Sequence, residues 1–238
     1  MKARVKRSRT ARLVVVIAAV VVLAAVLAAP ALAAPAATSW TVSPESKTIT
    51  YGQGVILNGT LMSNMTAVGG LWVDFAQATT QSGSYQVLYK VTTADSAYYS
   101  GTYSVAVMPL QTTYYRFQWA GDATYGPSNS DAIPVQVKPS LGKPTCPSSA
   151  KAGKKFTVSG SVKPGEGVGP AVKIKAYQKK NGEWVFYKDY SAKVSDTQYS
   201  ASVKPNHTGK YKFKAVTAAS ASYAAGESSY SSVTTVKK

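Results

Sequence analysis

Apolar and polar residues alternate over short runs along most of the chain. Clear examples are the runs at 172–176 and 211–215, in which Val, Ile, Ala, Tyr and Phe alternate with Lys. A period of two residues is typical of a β-strand with one buried face. After Ala37 no segment shows a convincing helical period, so the pattern predicts an all-β chain.

Turn-forming residues interrupt these runs at regular intervals. The main interruptions are Gly52, Gly69-Gly70, Gly121-Asp122, Pro164-Gly165, Asn181-Gly182 and Pro205-Asn206. Asn-Gly is the strongest of these signals, because both residues tolerate the positive φ of a two-residue hairpin turn. Six or seven short strands in about 100 residues predict an immunoglobulin-like β-sandwich.

The chain repeats itself with a shift of 101 residues. The shift matches Gly52 with Gly153, Gly59 with Gly160, Leu71 with Val172, Val73 with Ile174 and Gln77 with Gln178. Two diverged copies of one unit therefore predict two tandem β-sandwich domains. We place them at 39–138 and 148–238, with a linker at 34–38, a Pro- and Gly-containing linker at 139–147 and an export segment at 1–33.

Motifs in the first copy are more specific. Tyr103-Ser104-x-x-Val107-x-Pro109 precedes Tyr115-x-Phe117 and the loop Ala120-Gly121-Asp122-x-x-Tyr125. Together they resemble the Ig-like repeat domains of bacterial, actinobacterial-type, secreted and cell-surface proteins. That resemblance implies a spacer, adhesive or accessory module and no catalytic activity. The resemblance covers both copies, and the second departs from it where residues 217–223 replace the Gly-Asp turn.

The first 33 residues have the organisation of an export signal. Six basic residues precede an apolar run at 13–29, and Ala31-Leu32-Ala33 follows as a cleavage motif. We expect cleavage after Ala33 and a secreted or cell-surface location. The alternative is an uncleaved anchor, because the apolar run extended to Ala37 approaches the ~20 residues that span a bilayer.

Charge is distributed unevenly between the two copies. Residues 34–138 carry 4 basic and 5 acidic residues, whereas 139–238 carry 17 lysines and 5 acidic residues, a net charge of +12. Lysine is a hydrated point charge without the planar fork of arginine. The second copy is therefore suited to diffuse attraction to an anionic polymer.

Few residues could support catalysis. The chain has one histidine, His207, one cysteine, Cys146, and ten scattered carboxylates, without the spacing of a metal site or a carboxylate pair. We expect no enzyme activity, no cofactor and no metal. Asp122 and Asp131 offer two ligands where calcium takes six or more, so a plain turn is favoured. Cys146 cannot form an internal disulfide and either stays free or pairs with another chain.

The alternation places many lysines on one outer sheet face. If Val172, Ile174 and Ala176 point inward, the residues between them point outward, and the same holds around Tyr211, Phe213 and Ala215. The predicted polyanion-binding face comprises Lys173, Lys175, Tyr177, Lys179, Lys188, Lys210, Lys212 and Lys214. The alternative is a solvated face that keeps the sheet soluble.

Aromatic residues of the first copy suggest a second candidate site. Inward Leu71, Val73, Phe75, Tyr115, Phe117 and Trp119 leave Trp72 and Tyr114 outside with Asp74 and Arg116. Trp72 and Tyr114 are candidates for stacking on carbohydrate, and the alternative is a stabilising contact within or between domains. Trp40 and Trp184 are assigned to the cores.

Two functions are compatible with these features. The first is a structural or adhesive spacer at the cell surface, which the repeat favours. The second is a module that binds an envelope polymer or carbohydrate through the lysines. The expected partners are an anionic cell-wall polymer, a carbohydrate or another protein, with nucleic acid less favoured and membrane contact only through an uncleaved N-terminal segment.

Overall fold

The computed structural model describes residues 33–43, 47–92 and 101–238. The export segment predicted at 1–33 lies outside these ranges except for its last residue, so its cleavage stays a prediction. All regular secondary structure in the described ranges is β-strand, which confirms the all-β prediction. Within the same ranges no helix is long and apolar enough to cross a membrane.

The first half of the chain contains ten strands. They are β1 (Thr38–Ser43), β2 (Lys47–Thr50), β3 (Val55–Ser63), β4 (Thr66–Ala67), β5 (Trp72–Ala78), β6 (Gln86–Thr92), β7 (Thr102–Val107), β8 (Thr113–Trp119), β9 (Ser128–Asn129) and β10 (Ile133–Lys138).

Ten more strands form the second half. They are β11 (Ser140–Leu141), β12 (Ser149–Lys151), β13 (Phe156–Lys163), β14 (Val172–Lys180), β15 (Glu183–Ser191), β16 (Lys193–Ser195), β17 (Gln198–Val203), β18 (Gly209–Thr217), β19 (Gly226–Glu227) and β20 (Thr234–Lys237).

Four sheets result, two in each half. Sheet 1 contains β1, β3, β4 and β7, and sheet 2 has the order β2-β10-β8-β5-β6 with β9 beside β8. Sheet 3 has the order β11-β13-β17-β16, and sheet 4 has the order β12-β20-β18-β14-β15 with β19 beside β18. Sheets 2 and 4 thus share one topology, including one parallel pair each, β2 with β10 and β12 with β20.

A separate hydrophobic cluster fills each half between its two sheets. In the first, Leu57 and Tyr103 of sheet 1 belong to the same cluster as Phe117 of sheet 2. In the second, Tyr199 of sheet 3 belongs with Phe213 of sheet 4. Each half is therefore β-sandwich-like, because alternate residues of both sheets are removed from water on a shared inner side.

Most of the residues predicted to point inward are buried. They are Val73, Phe75, Tyr115, Phe117, Val172, Ile174, Ala176, Tyr211, Phe213 and Ala215. Leu71 is half-buried, and Trp119 packs against the first core at its margin. Trp40 also packs there, with its indole stacked on Phe117 at 5.9 Å between ring centroids.

The predicted Asn-Gly hairpin turn is confirmed. Asn181 and Gly182 have φ angles of 51° and 88°, and the residues on either side, Lys180 and Glu183, pair across the hairpin. Two positive φ values in a two-residue loop define a turn whose twist matches the flanking strands. This turn fixes the register of β14 against β15.

Regular structure begins inside the segment predicted to link the two halves. Leu141 of β11 pairs with Val162 of β13, and Tyr199 Oη donates a hydrogen bond to Gly142 O at 2.8 Å. The polypeptide therefore joins sheet 3 within three residues of Lys138, where β10 ends.

Candidate functional site

Sheet 4 has one face in the second core and one outer face. The alternating lysines of β14 and β18 lie on the outer face, because the residues between them are the buried core residues described above. We call this outer surface the lysine-aromatic face. Its members are Lys173, Lys175, Tyr177, Lys179, Trp184, Phe186, Lys210, Lys212, Lys214 and Tyr230.

The register of β14 and β18 brings the central lysines together. Lys175 lies directly opposite Lys214, and Tyr177 lies directly opposite Lys212. Directly opposed residues on one sheet face have Cβ atoms about 5 Å apart. Two positive charges, Lys175 and Lys214, therefore share a cross-strand site in which like charges repel.

Aromatic rings hold the ammonium group of Lys212. Its Nζ lies 3.6 Å from the ring centroid of Tyr230 and 4.7 Å from that of Trp184. Lys214 Nζ lies 4.5 Å from the Tyr230 centroid. Cation–π attraction restrains these flexible side chains, with a contribution of about 0.5–1 kcal/mol at exposed sites.

Two ring contacts connect the aromatic residues of this face. Tyr177 lies edge-to-face against Tyr230 at 5.4 Å and against Phe186 at 6.0 Å. Phe186 remains 53% exposed, and Tyr230 is also exposed. Burial raises the pKa of the Tyr177 phenol, and the neighbouring Tyr230 raises it further.

Trp184 does not lie in the second core, contrary to the prediction. The two-residue hairpin turn places Trp184 opposite Lys179, on the outer face, where its ring contacts Lys212. The sequence carried the signal that could have located it, because a two-residue turn sets the register of the strand that follows. Tyr230 was missed altogether, because it lies outside the alternating strands.

Lys188 does not share the face with the other lysines. It lies opposite Ala176, whose side chain points into the core, and a bulge between Ala176 and Tyr177 shifts the register of β15. The extra residue, Tyr187, packs against the second core. A bulge reverses the side on which later residues point, and strict alternation from Trp184 could not reveal it. Lys188 is exposed on the opposite side, with its Nζ 5.6 Å from the Tyr190 ring.

Few carboxylates balance the charge of this face. Asp189 lies opposite Lys175, and Glu227 forms an ion pair with Lys214 at 3.1 Å. The hydrogen bond that Lys214 Nζ donates to the Glu227 carboxylate raises the pKa of Lys214 above its ordinary value, so this lysine stays protonated. Six lysines on the face thus meet two carboxylates.

A shallow depression lies at one end of the face. It has a volume of about 520 Å³ and is lined by Pro170, Lys173, Lys175, Asp189 and Val216 together with residues 217–220. Apart from the two lysines and the aspartate, the residues that line the depression are mostly small. The depression is within the 300–1,000 Å³ range of small-molecule sites.

The matching face of sheet 2 has different chemistry. Asp74 and Gln118 lie opposite each other in sheet 2. They take the positions that Lys175 and Lys214, respectively, occupy in sheet 4. Asp74 also forms an ion pair with Lys90 at 3.6 Å. Arg116 lies over the Tyr85 ring at 4.2 Å, which parallels the contact between Lys212 and Tyr230. One topology therefore carries a nearly neutral face in one half and a cationic face in the other.

Trp72 and Tyr114 are not brought together. Trp72 is 62% exposed at the beginning of β5, whereas Tyr114 pairs with Ala78 at its end. Six residues of strand separate the two positions by about 20 Å. Trp72 and Lys90 line a depression of about 600 Å³.

Asp122 has a local hydrogen-bonding role. Its Oδ1 accepts hydrogen bonds from the backbone N–H groups of Thr124 and Tyr125, both at 2.7 Å. Ser220 does the same in the second half, where its Oγ accepts the N–H of Tyr223 at 3.1 Å. Asp122 and Ser220 therefore close equivalent turns, as side chains of this type commonly do.

His207 and Cys146 occupy structural positions. His207 is exposed in the connection between β17 and β18, and its backbone carbonyl accepts a hydrogen bond from Tyr211 Oη at 3.0 Å. Cys146 is a free thiol, half-buried against the second core. Thr234 donates a hydrogen bond to its Sγ at 3.2 Å.

Residues 218–225, which we call the junction loop, belong to the second half and contact the first half. Tyr223 of this loop is only 4% exposed and belongs to the hydrophobic cluster of the first half. The N–H of Thr112 donates to Ser222 O at 2.8 Å, and the N–H of Ala224 donates to Val137 O at 2.9 Å. Burial raises the pKa of the Tyr223 phenol, and Tyr51 raises it further.

No protein-family model matches this sequence, and no curated protein matches it either.

Proposed function

We propose that the chain is a non-enzymatic, secreted or cell-surface protein of tandem immunoglobulin-like domains, which acts as a structural or adhesive spacer behind an N-terminal export segment. The repeated topology of sheets 2 and 4 supports the tandem organisation. The apolar run and cleavage motif at the N-terminus support export.

The observation that carries the spacer proposal is the burial of Tyr223 in the first core. A spacer must keep a fixed distance, and domains joined only by a flexible linker move independently. Here a buried aromatic side chain and two backbone hydrogen bonds restrain the halves, in addition to the short connection through β11. The pair therefore acts as one stiff unit.

Replacement of Tyr223 by Ala tests this coupling. Removal of a buried aromatic ring costs about 2–4 kcal/mol, and the loss should fall on the first half although the mutation lies in the second. We expect calorimetry of the full chain to show two separated transitions in place of a coupled one. Tyr125→Ala changes the equivalent loop of the first half and serves as the control, with coupling retained. Unchanged coupling in Tyr223→Ala would contradict the proposal.

A second candidate function is retention on an anionic polymer of the cell envelope. The specific observation in its favour is the excess of lysines over carboxylates on the lysine-aromatic face. Such a surface attracts polyanions over distances up to the Debye length, about 10 Å at 0.1 M salt.

Sedimentation of the full chain with isolated envelopes tests the second candidate. We expect binding at about 50 mM salt that falls steeply towards 500 mM, because salt screens contacts between exposed charges. Absence of binding at low salt would contradict retention on the envelope, and the spacer would then be the one remaining candidate function.

A further inference from the structure

We propose that the lysine-aromatic face is a binding site for an acidic polysaccharide, whose charged groups pair with Lys175, Lys212 and Lys214 while its sugar rings contact Tyr230, Phe186 and Trp184. This inference deepens the second candidate function and rests on it for the biological setting, but not for the chemistry of binding.

The central ammonium groups are already positioned before any ligand arrives. Lys212 lies between the Trp184 and Tyr230 rings, and Lys214 is held by Tyr230 and Glu227. A free lysine side chain loses rotamer entropy when a ligand fixes it. Here the fold has restricted these side chains beforehand, so less binding energy is lost on association.

The lysines of this face are not a requirement of the fold. The equivalent positions in sheet 2 carry Asp74 in place of Lys175 and Gln118 in place of Lys214. The first half buries a comparable core behind this nearly neutral face. Solubility of an outer sheet face in this topology therefore does not need six lysines, which argues for a role in binding.

Charge complementarity selects an anion, and the aromatic residues select a ligand with flat apolar patches. Phe186 is 53% exposed beside Tyr177, and Tyr230 is exposed beside Lys212. Pyranose rings present C–H faces to aromatic side chains and hydroxyl groups to ammonium groups. An acidic polysaccharide supplies both, with its charge spaced along the polymer.

The depression beside Lys175 favours a sugar over a nucleic acid. Asp189 lies in its wall together with Lys173 and Lys175, and it is the direct cross-strand partner of Lys175. A carboxylate there accepts hydrogen bonds from sugar hydroxyls but repels a backbone with a phosphate at every unit. The edge-to-face ring contacts of Tyr177 also differ from the open stacking platforms of single-strand binders. Residues 139–238 contain no arginine.

Binding of the full chain to defined polymers tests the site. The probes are polygalacturonate for carboxylate, phosphomannan for phosphate, neutral dextran and single-stranded oligo-dT, each measured by isothermal titration calorimetry at about 50 mM salt. We expect one or both acidic polysaccharides to bind at least tenfold more tightly than dextran and oligo-dT. Tighter binding of oligo-dT, or no binding to either acidic polymer, would overturn the proposal.

Three variants separate a defined site from diffuse attraction. Lys175→Asp with Lys214→Gln gives sheet 4 the residues of sheet 2, and we expect about a tenfold loss of affinity. Lys188→Asp removes one lysine on the opposite face, and we expect less than a threefold change. Tyr230→Leu keeps the charge but removes the ring, and we expect about a fivefold loss. Equal effects of the two lysine changes, or no effect of Tyr230→Leu, would overturn the site.

Envelope sedimentation with the same variants separates this inference from the candidate function. If the chain binds polygalacturonate or phosphomannan but no envelope, the site stands and envelope retention fails. If Lys175→Asp with Lys214→Gln sediments with envelopes as the unchanged chain does, retention stands and the site proposed here is wrong.

Discussion

The phenol ring of Tyr199 lies across Gly160, its direct partner on the neighbouring strand. Tyr103 lies across Gly59 in the same way in the first half. A Cβ added to Gly160 would clash with Tyr199 Oη, and one added to Gly59 would clash with Tyr103 Oη. A strand glycine covered by a cross-strand tyrosine ring is thus common to both halves.

Gly160→Ala is therefore expected to destabilise the second half by about 1–3 kcal/mol, because the tyrosine ring must move from a packed position. Chemical denaturation of the full chain measures the change. Gly54→Ala is the matched control, since its added Cβ meets no atom closer than 3.4 Å and its backbone is not in the left-handed region. An equal cost for both changes would contradict the role of the ring.

The two phenol groups differ in their hydrogen bonds. Tyr199 Oη donates to Gly142 O at 2.8 Å, whereas Tyr103 Oη is buried without a hydrogen-bond partner in the part of the chain that the structure describes. Burial raises the pKa of both phenols.

Tyr199→Phe should cost about 1–2 kcal/mol, because it leaves the Gly142 carbonyl without its donor. Tyr103→Phe should be neutral or stabilising, because it removes a buried polar group that gains no hydrogen bond. Comparison of the two free energies of unfolding checks this difference, and a larger loss in Tyr103→Phe would contradict it.

Alkaline pH should destabilise the protein through two further tyrosines. Burial raises the pKa of Tyr115 to about 12, and burial together with nearby phenols raises the pKa of Tyr211 to about 12. In the unfolded chain both titrate near pH 10. Unfolding then releases protons above pH 10, so the free energy of unfolding falls between pH 10 and 12 and is unaffected by these groups below that range.

Urea denaturation at pH 9, 10 and 11 checks this dependence. Tyr115→Phe with Tyr211→Phe should reduce the slope of stability against pH above 10. A slope that is unchanged in the double variant would assign the alkaline loss to other groups.

The sequence predicted much of this fold from local patterns. Alternation located Val172, Ile174 and Ala176 in the core, and Asn181-Gly182 marked a hairpin turn, because side-chain direction and turn geometry depend on neighbouring residues alone. The same turn implied the outward position of Trp184, which the core assignment overlooked.

Other features depended on tertiary structure. Because of the bulge at Tyr187, Lys188 points to the opposite side of the sheet from the other lysines. No residue type in β15 indicates a bulge at this position. Tyr223 packs in the core of the other half, a contact between residues far apart in sequence. Tyr230 contacts Lys212 from the irregular segment between β19 and β20. The alternation of apolar and polar residues predicts side-chain directions only within strands, so it could not locate Tyr230.

The distance between the two halves tests the central claim, that they form one stiff spacer, most directly. Spin labels are attached at two exposed strand positions, Gln86→Cys and Ser202→Cys, in a Cys146→Ser background. Pulsed electron paramagnetic resonance then records the distribution of distances between the two labels, which lie on different halves. A fixed junction predicts one narrow distribution that broadens when Tyr223 is replaced by Ala. A distribution that is already broad with Tyr223 in place would contradict the spacer account.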